Sequence, residues 1–502
     1  MTLTLALDAG TSSVRVLAFD HDGIIVGQAQ KEIRSATDTL GRIVQDPAEI
    51  LNSLFHCLDT VLKDNDQPIS AVGLTNQRES FVCLDSRTLD PLGPLISWQD
   101  RSTATRCRTL KEEDAESFVK ERTGLPIDPY FSSTKLCDEV KRLNTDEAGR
   151  RLAFATVDTL ITLALTSKTR YVTEASNASR TQLFNTETLS FSDELLDLFE
   201  LDSKFLLFPE VVPSIGGDTV LHSERFPMLN GVPLGAILGD QQSSLLGQGC
   251  LTPGSAKNTY GTGSFLLANT ASNRLTPPNG LLGSVGWTLP DGVTTYVLEG
   301  AIYSTGSTLR WFRDALGLFD NYSELDDLIA ATPSSGGTTF LPLFEGLGSP
   351  YMDPNPRGAI TGLSLSSTLS EIVVGAIEAM AHQGADVIDA MEELQGIRIE
   401  ELRVDGGVSV MNRLCQLQAD YANVQVQRST IAESTAFGVA GAAMYAVGTL
   451  NSLDELRTIN PPSDLFSPTK SRSSITTKRA LWRDRLNRVR NTATGFEHHE
   501  AD

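Results

Sequence analysis

No uninterrupted apolar run in the sequence reaches the ~18 residues that a membrane-spanning helix needs. The first apolar residues, Leu3 to Leu7, follow no basic segment and alternate with smaller ones, so the N-terminus reads as neither a span nor a signal peptide. Cysteine and histidine are scarce, six of each. Cys57, Cys83, Cys107, Cys137, Cys250 and Cys415 show no C-x-x-C spacing and the histidines no ligand spacing, which removes a zinc site and fits a reduced, cytoplasmic setting. Basic residues number 41 against 63 acidic ones, a formal net charge of −22. That balance argues against nucleic acid and anionic membrane as partners. Two nucleotide signatures are also missing, because no G-x-x-x-x-G-K-S/T occurs and no G-x-G-x-x-G opens a helix.

What is present begins with a hairpin. Leu3, Leu5 and Leu7 alternate with Thr4 and Ala6, and Val14, Val16 and Leu17 resume the apolar pattern, so two strands flank Gly10-Thr11-Ser12-Ser13. Such a turn is either an ordinary polar hairpin or a phosphate cradle in which backbone N–H groups and hydroxyls converge, with Asp8 placed to hold magnesium through water. The device recurs at Lys257 to Leu267, where Gly261-Thr262-Gly263 separates two strands. A chain of 502 residues exceeds one core. Two hairpins, each opening one half, predict duplicated domains, residues 1–247 and 248–502, clamping a polyphosphate between them.

Along the chain, Asp46-Pro47 caps a helix running to about Lys63. A buried strand, Ala71 to Leu74, ends in the polar cluster Asn76-Gln77-Arg78-Glu79, placed where an α/β sheet carries ligand groups. Arg78 and Glu79 suit vicinal hydroxyls, or form a solvated loop pair. Ile96 to Asp100 reads as a short strand presenting Trp98 as an apolar wall or as core, and helical periodicity occupies Thr103 to Arg122. Tyr130, in a turn, either offers its hydroxyl or packs. Arg170 to Phe184 reads as an ordered polar loop.

The strand Pro233 to Leu238 ends at Gly239-Asp240-Gln241. Asp240 is placed either to accept a hydroxyl proton, which phosphoryl transfer requires, or simply to cap the helix that follows. Phe265 follows the second turn and is placed to close a pocket opposite Trp98. Gly306 opens a helix, Gly406-Gly407 ends a strand where backbone can approach a flat ligand, and Ala436 to Gly448 is a small-residue helix inside a domain. Lys478 to Arg490 reads as a basic, solvated helix face.

DAGTSSVR, GLTNQRES, ISWQDRST, GLPIDPYFSSTK, SNASRTQLFN, GDQQSSLLGQ, KNTYGTGSFLL, LEGAIYSTGS, LRVDGG and ESTAFGVAGAA occur in an order and spacing that resembles the FGGY carbohydrate kinases, most of all their glycerol-phosphorylating members. The resemblance reaches to about Gly448. It implies two actin-like, ribonuclease-H-like α/β domains flanking a cleft, and phosphorylation of a terminal hydroxyl by ATP and Mg2+. It further implies that Arg78, Glu79, Tyr130, Asp240 and Gln241 bind the polyol, that Trp98 and Phe265 wall it, and that Asp240 is the base. By the same likeness Thr11, Ser12, Ser13, Arg15, Gly261, Thr262, Gly306, Arg310, Gly407 and Met411 take nucleotide positions, with Asp8 and Asp240 at the metal. Met411 and Arg310 depart from the family, which usually carries Asn and Gln there. The segment Leu221 to Pro233 lacks Gly-Gly-Thr-Arg, and Asp218 lies near where some members carry a phosphorylated histidine. Control by fructose bisphosphate or a phosphocarrier is therefore not expected. Glycerol is the foremost substrate. Another small polyol or ketose is the alternative, and a nucleotide-switched non-kinase a third reading. A homo-oligomer is left open.

Overall fold

The computed structural model describes residues 2–65, 67–146, 151–278, 280–431 and 433–493. Its two largest sheets repeat one design. In the first half, Ile25–Glu32, Ser13–Phe19 and Leu3–Ala9 run antiparallel in that order, and Ile69–Asn76 and Leu234–Gly239 add in parallel. In the second, Thr294–Ile302, Ser264–Asn269 and Ser255–Tyr260 are antiparallel neighbours, with Glu401–Asp405 and Gln425–Ser429 added in parallel. The second sheet carries a further strand at each edge, Leu282–Thr288 and Pro462–Phe466. Both hairpins are strand-turn-strand, and each turn is tied by a backbone bond, Gly10 N–H to Ser13 O at 3.0 Å and Gly261 N–H to Gly263 O at 2.8 Å.

The first strand is buried along its whole length, so its alternation is one of size. Leu3, Leu5 and Leu7 share a core with Ile50, Leu54, Leu58 and Val61 of the helix Pro47–Lys63, whose start is capped by Asp46 Oδ1 accepting from Ala48 N–H at 2.8 Å. Each such leucine contributes roughly 1.5–3 kcal/mol by burial. On the other face, Ala6 belongs to a core that includes the helix Ser434–Ala446. That helix belongs to the second half of the chain, yet it lies on the first sheet, against Gly73 and Gly235, and packs on the helix Asp240–Gly247. A Cβ on Gly247 would stand 2.1 Å from Ser434 O, and one on Gly438 1.9 Å from Ser243 O. Backbone meets backbone there, which is why the segment is made of small residues. Its core joins residues of both halves.

Several local expectations change. The strand before Trp98 is only Leu95–Ile96, and Trp98 sits in the turn after it, because Trp98 N–H bonds the Ser80 hydroxyl at 3.0 Å instead of a neighbouring strand. Thr103 to Arg122 is two helices, Ala104–Glu112 and Ala115–Thr123, broken where Asp114 takes φ +64. Arg170 to Phe184 holds the strand Val172–Glu174 and the short helix Ala175–Ala178, both buried. Asp240 does not cap its helix but begins it, Gly239 being the cap.

The C-terminal helix Arg472–Ala493 is not merely a solvated face. Trp482 is 2% exposed and donates to Asp386 at 2.8 Å, and Arg479 reaches Asp386 at 2.7 Å and Asp389 at 2.6 Å. The positive charges of this face partly neutralise two carboxylates, the buried Asp386 and the exposed Asp389. All six cysteines are free and buried. No helix among the described residues is long and apolar enough to cross a membrane.

Candidate functional site

Arg78 and Glu79 lie in the bend just past the strand Ile69–Asn76, buried at 3% and 2% exposure. Adjacent residues of an extended chain point to opposite sides. Glu79 has φ +63, a left-handed conformation that breaks this alternation, and its carbonyl is held by the Ser132 hydroxyl at 2.7 Å. The two side chains enter one ion network. Arg78 reaches Asp240 at 3.3 Å and Glu79 at 4.0 Å, and pairs with both oxygens of Glu299 at 2.7 and 3.2 Å. Arg180 closes the circuit, at 2.6 Å from Glu79 and 3.2 Å from Glu299.

Two guanidiniums thus face three carboxylates, and Glu299 comes from the second half. Burial pushes the Glu299 carboxyl up, but Arg180 and Arg78 outweigh it and hold it down at about 2. Asp240 differs: its side chain is 31% exposed. Desolvation raises its pKa, while Arg78, the Gln241 N–H and Lys257 pull it down and the charge of Asp8 adds to the rise. A carboxylate made more basic by its surroundings, and still open to a ligand, is suited to taking a proton.

The aromatic groups adjoin this network. The rings of Trp98 and Tyr130 meet edge to face, centroids 5.4 Å apart, and the Arg180 guanidinium lies 5.8 Å from the Tyr130 ring. Lys135, buried and pushed down to about 8 by desolvation, ties the two turns by donating to Ser97 O at 3.0 Å and Tyr130 O at 3.3 Å. Phe265 pairs with Thr259 and Ala301, which puts it on the same face of the second sheet as the pairs Thr259 with Asp405 and Leu267 with Glu299. Half-buried, it packs against the core joining the halves.

The nucleotide candidates lie on both hairpins. Ser12, Gly261 and Thr262 are exposed, and Thr11, Ser13 and Arg15 half-buried. Arg15 bridges Asp8 of its own hairpin and Glu433, the residue before the helix Ser434–Ala446. Gly306 donates to Gly261 O at 3.0 Å, and a Cβ there would stand 2.5 Å from that oxygen, so glycine is needed for the helix to abut the turn. Arg310, one turn further on, donates to Thr262 Oγ1 at 3.0 Å. Gly406 has φ +85 and meets Tyr260, whereas Gly407 is exposed with nothing within 4 Å of its missing side chain. Met411 is turned inward, 4% exposed in the second core.

Arg180, Glu299 and Lys135 were not among the expected site residues. Their one sequence signal is a charge set in an otherwise apolar or small segment, as in Val297-Leu298-Glu299-Gly300-Ala301.

Comparison with known proteins gives the family. Residues 3–247 match the N-terminal domain, and 256–447 the C-terminal domain, of the FGGY family of carbohydrate kinases. The chain is 37% identical over 494 residues to glycerol kinase 2 of Thermotoga maritima, covering 97% of this chain and 99% of that one. It is 40% identical over 501 residues to the glycerol kinase of Trichlorobacter lovleyi, covering 98% and 100%. Among solved structures, Plasmodium falciparum glycerol kinase with ADP superposes with a TM-score of 0.92 at 27% identity, over 97% of this chain and 98% of that one. The doubled sheet, the ion network at its seam and matches that together span most of the chain place this protein in the FGGY family of carbohydrate kinases.

Proposed function

We propose that the protein transfers the γ-phosphoryl group of ATP to a terminal hydroxyl of glycerol, giving sn-glycerol 3-phosphate and ADP. The observation that carries this reading is the buried set Arg78, Glu79 and Arg180 beside a part-exposed Asp240. Donors and acceptors side by side are what a triol demands, and a nucleotide-switched binding protein has no need of them. The curated relatives named glycerol kinase support the choice of polyol.

In this reading residues 1–247 supply the polyol subsite and the first phosphate turn, and 248–502 most of the nucleotide subsite. Arg78, Glu79, Tyr130 and Gln241 bind the hydroxyls, and Trp98 and Phe265 cover the carbon chain. Asp240 takes the proton as the hydroxyl oxygen bonds to phosphorus, the bond from phosphorus to the β,γ-bridging oxygen breaks, and its electron pair leaves with ADP. Thr11, Ser12, Ser13, Gly261 and Thr262 offer hydroxyls and backbone N–H groups to phosphate oxygens, Arg15 adds charge, and Gly306 and Arg310 stand beside Thr262. The open face of Gly407 fits a flat base or ribose, and Met411 backs that region from the core. Asp8 is buried with its pKa raised by desolvation, and its charge is felt at Asp240. Two such carboxylates fit a divalent cation held through water. When bound, magnesium neutralises charge on the phosphates.

A coupled ADP-release assay over glycerol, other small polyols and ketoses tests the reading. Turnover highest with glycerol is expected. Turnover confined to another sugar reassigns the substrate, and turnover with none rejects the kinase.

A further inference from the structure

Lys257 has no part in the reaction as drawn, yet its side chain is buried at the seam. It lies in the strand Ser255–Tyr260 of the second half and is 0% exposed. An ammonium leaves water only where partners compensate it. Nζ donates to Gln241 Oε1, in the first half, at 2.6 Å, and to Thr259 Oγ1 of its own strand at 2.9 Å. Asp405 and Asp240 oppose the desolvation that lowers its pKa. The strand register explains the position. Lys257 pairs with Leu267, and Leu267 with Glu299, so lysine and glutamate emerge on one face of the sheet and both reach the first half.

The direction of the bond to Gln241 has a chemical consequence. An ammonium can only donate, so it claims the amide oxygen, and the NH2 group of Gln241 is left on the other side. An NH2 group can only donate, which suits the oxygen of a substrate hydroxyl. We propose that Lys257 is a positioning residue for the polyol: by holding Gln241 Oε1 from the opposite half it presents the Gln241 NH2 group to a substrate hydroxyl. The Gln241 contact is then complete only while the two halves are docked. This rests on the glycerol reading above.

The test compares direct polyol binding by calorimetry with steady-state kinetics for the parent, Lys257→Met, Lys257→Gln, Gln241→Ala and the double variant Lys257→Met with Gln241→Ala. The parent is expected to bind glycerol. Lys257→Met should raise the glycerol Kd and KM about 10-fold, the effect of losing an oriented hydrogen bond, with the ATP KM within about 2-fold. Lys257→Gln, which keeps an N–H donor, should recover part of the loss, and the double variant should be no worse than Gln241→Ala. An unchanged glycerol KM in Lys257→Met, losses that multiply in the double variant, or a rise confined to the ATP KM would each overturn the proposal. Should Lys257→Met fail to fold, Lys257→Gln and Gln241→Ala decide, because an unchanged KM in Gln241→Ala leaves nothing to act through. A parent that binds no glycerol rejects the glycerol reading instead, and the same variants are then compared with the polyol that the substrate panel identifies.

Discussion

Trp98 Nε1 donates to Thr11 Oγ1 at 2.9 Å, so the aromatic ring proposed to wall the polyol is bonded to the turn proposed to hold phosphate. Trp98→Phe keeps a wall and removes this donor. A neutral hydrogen bond of about 1 kcal/mol corresponds to a several-fold change in an equilibrium. Because the hydroxyl it orients belongs to the phosphate turn, the ATP KM should rise about 5-fold in initial-rate kinetics, and more than the glycerol KM. A change seen with glycerol alone would contradict this.

Asp240→Asn removes the proposed proton acceptor and keeps the shape. With glycerol binding measurable by calorimetry, kcat should fall by about 10²-fold or more. Turnover at the parent rate would take Asp240 out of the base role.

Arg78→Ala should act twice. It withdraws a charge-assisted donor from the polyol, raising the glycerol KM. It also leaves Glu299, 1% exposed, with Arg180 as its remaining ion-pair partner. Breaking one side of a buried pair costs about 3–5 kcal/mol, to be read from urea denaturation. Arg78→Ala combined with Glu299→Gln should regain part of the stability and none of the KM.

Glu174 is fully buried and accepts from Ser176 N–H, Asn177 N–H and the Ser214 hydroxyl, at 2.7, 2.7 and 2.6 Å. Burial raises its pKa from 4.5 to about 7, with Asp158 adding to the rise and the hydroxyl of Ser214 opposing it. A carboxyl that binds its proton more tightly when folded stabilises fully below its unfolded pKa and loses that contribution as pH rises through the folded one. The unfolding free energy of the parent minus that of Glu174→Gln should therefore decline from about pH 4.5 to about pH 7 and level off above. Urea titrations at stepped pH check this, and a difference that climbs over the same interval would refute it.

Trp482→Ala should loosen the C-terminal helix. Truncating a buried tryptophan costs about 3–5 kcal/mol, and here it also strips a donor from Asp386. The melting temperature should fall by several degrees while kcat of the folded enzyme stays within about 2-fold of the parent, since the groups on which the helix docks, His382, Asp386 and Asp389, are not members of the ion network around Arg78.

The parts legible beforehand were those with a local pattern. The leucine alternation located the first hairpin, Asp46-Pro47 located a helix start, and Asp240 stood out as a carboxylate at a strand end. The aromatic pair and the Arg78, Glu79 dipeptide came through type and position along the chain. Arg180 and Glu299 escaped because their partners lie 101 and 221 residues away, at distances that no window along the chain spans. The left-handed turn at Glu79 escaped because glutamate rarely adopts it. In the C-terminal helix the run of charges suggests a solvated face, and the buried Trp482 among them is the feature that reverses it. A tryptophan among arginines is the mark of a face that docks.

At the crossing of the helices Asp240–Gly247 and Ser434–Ala446, Gly247 and Gly438 bring main chain against main chain. Such a joint has no knobs to withdraw before it turns, and nowhere to slide without collision. Contact that close resists sliding and leaves small rotations as the one movement open to it, which is the property of an axle between the lobes. A bulkier residue at Gly438 would force the axle apart and set the lobes at a new angle, changing how both substrates are held without altering a single group that touches either.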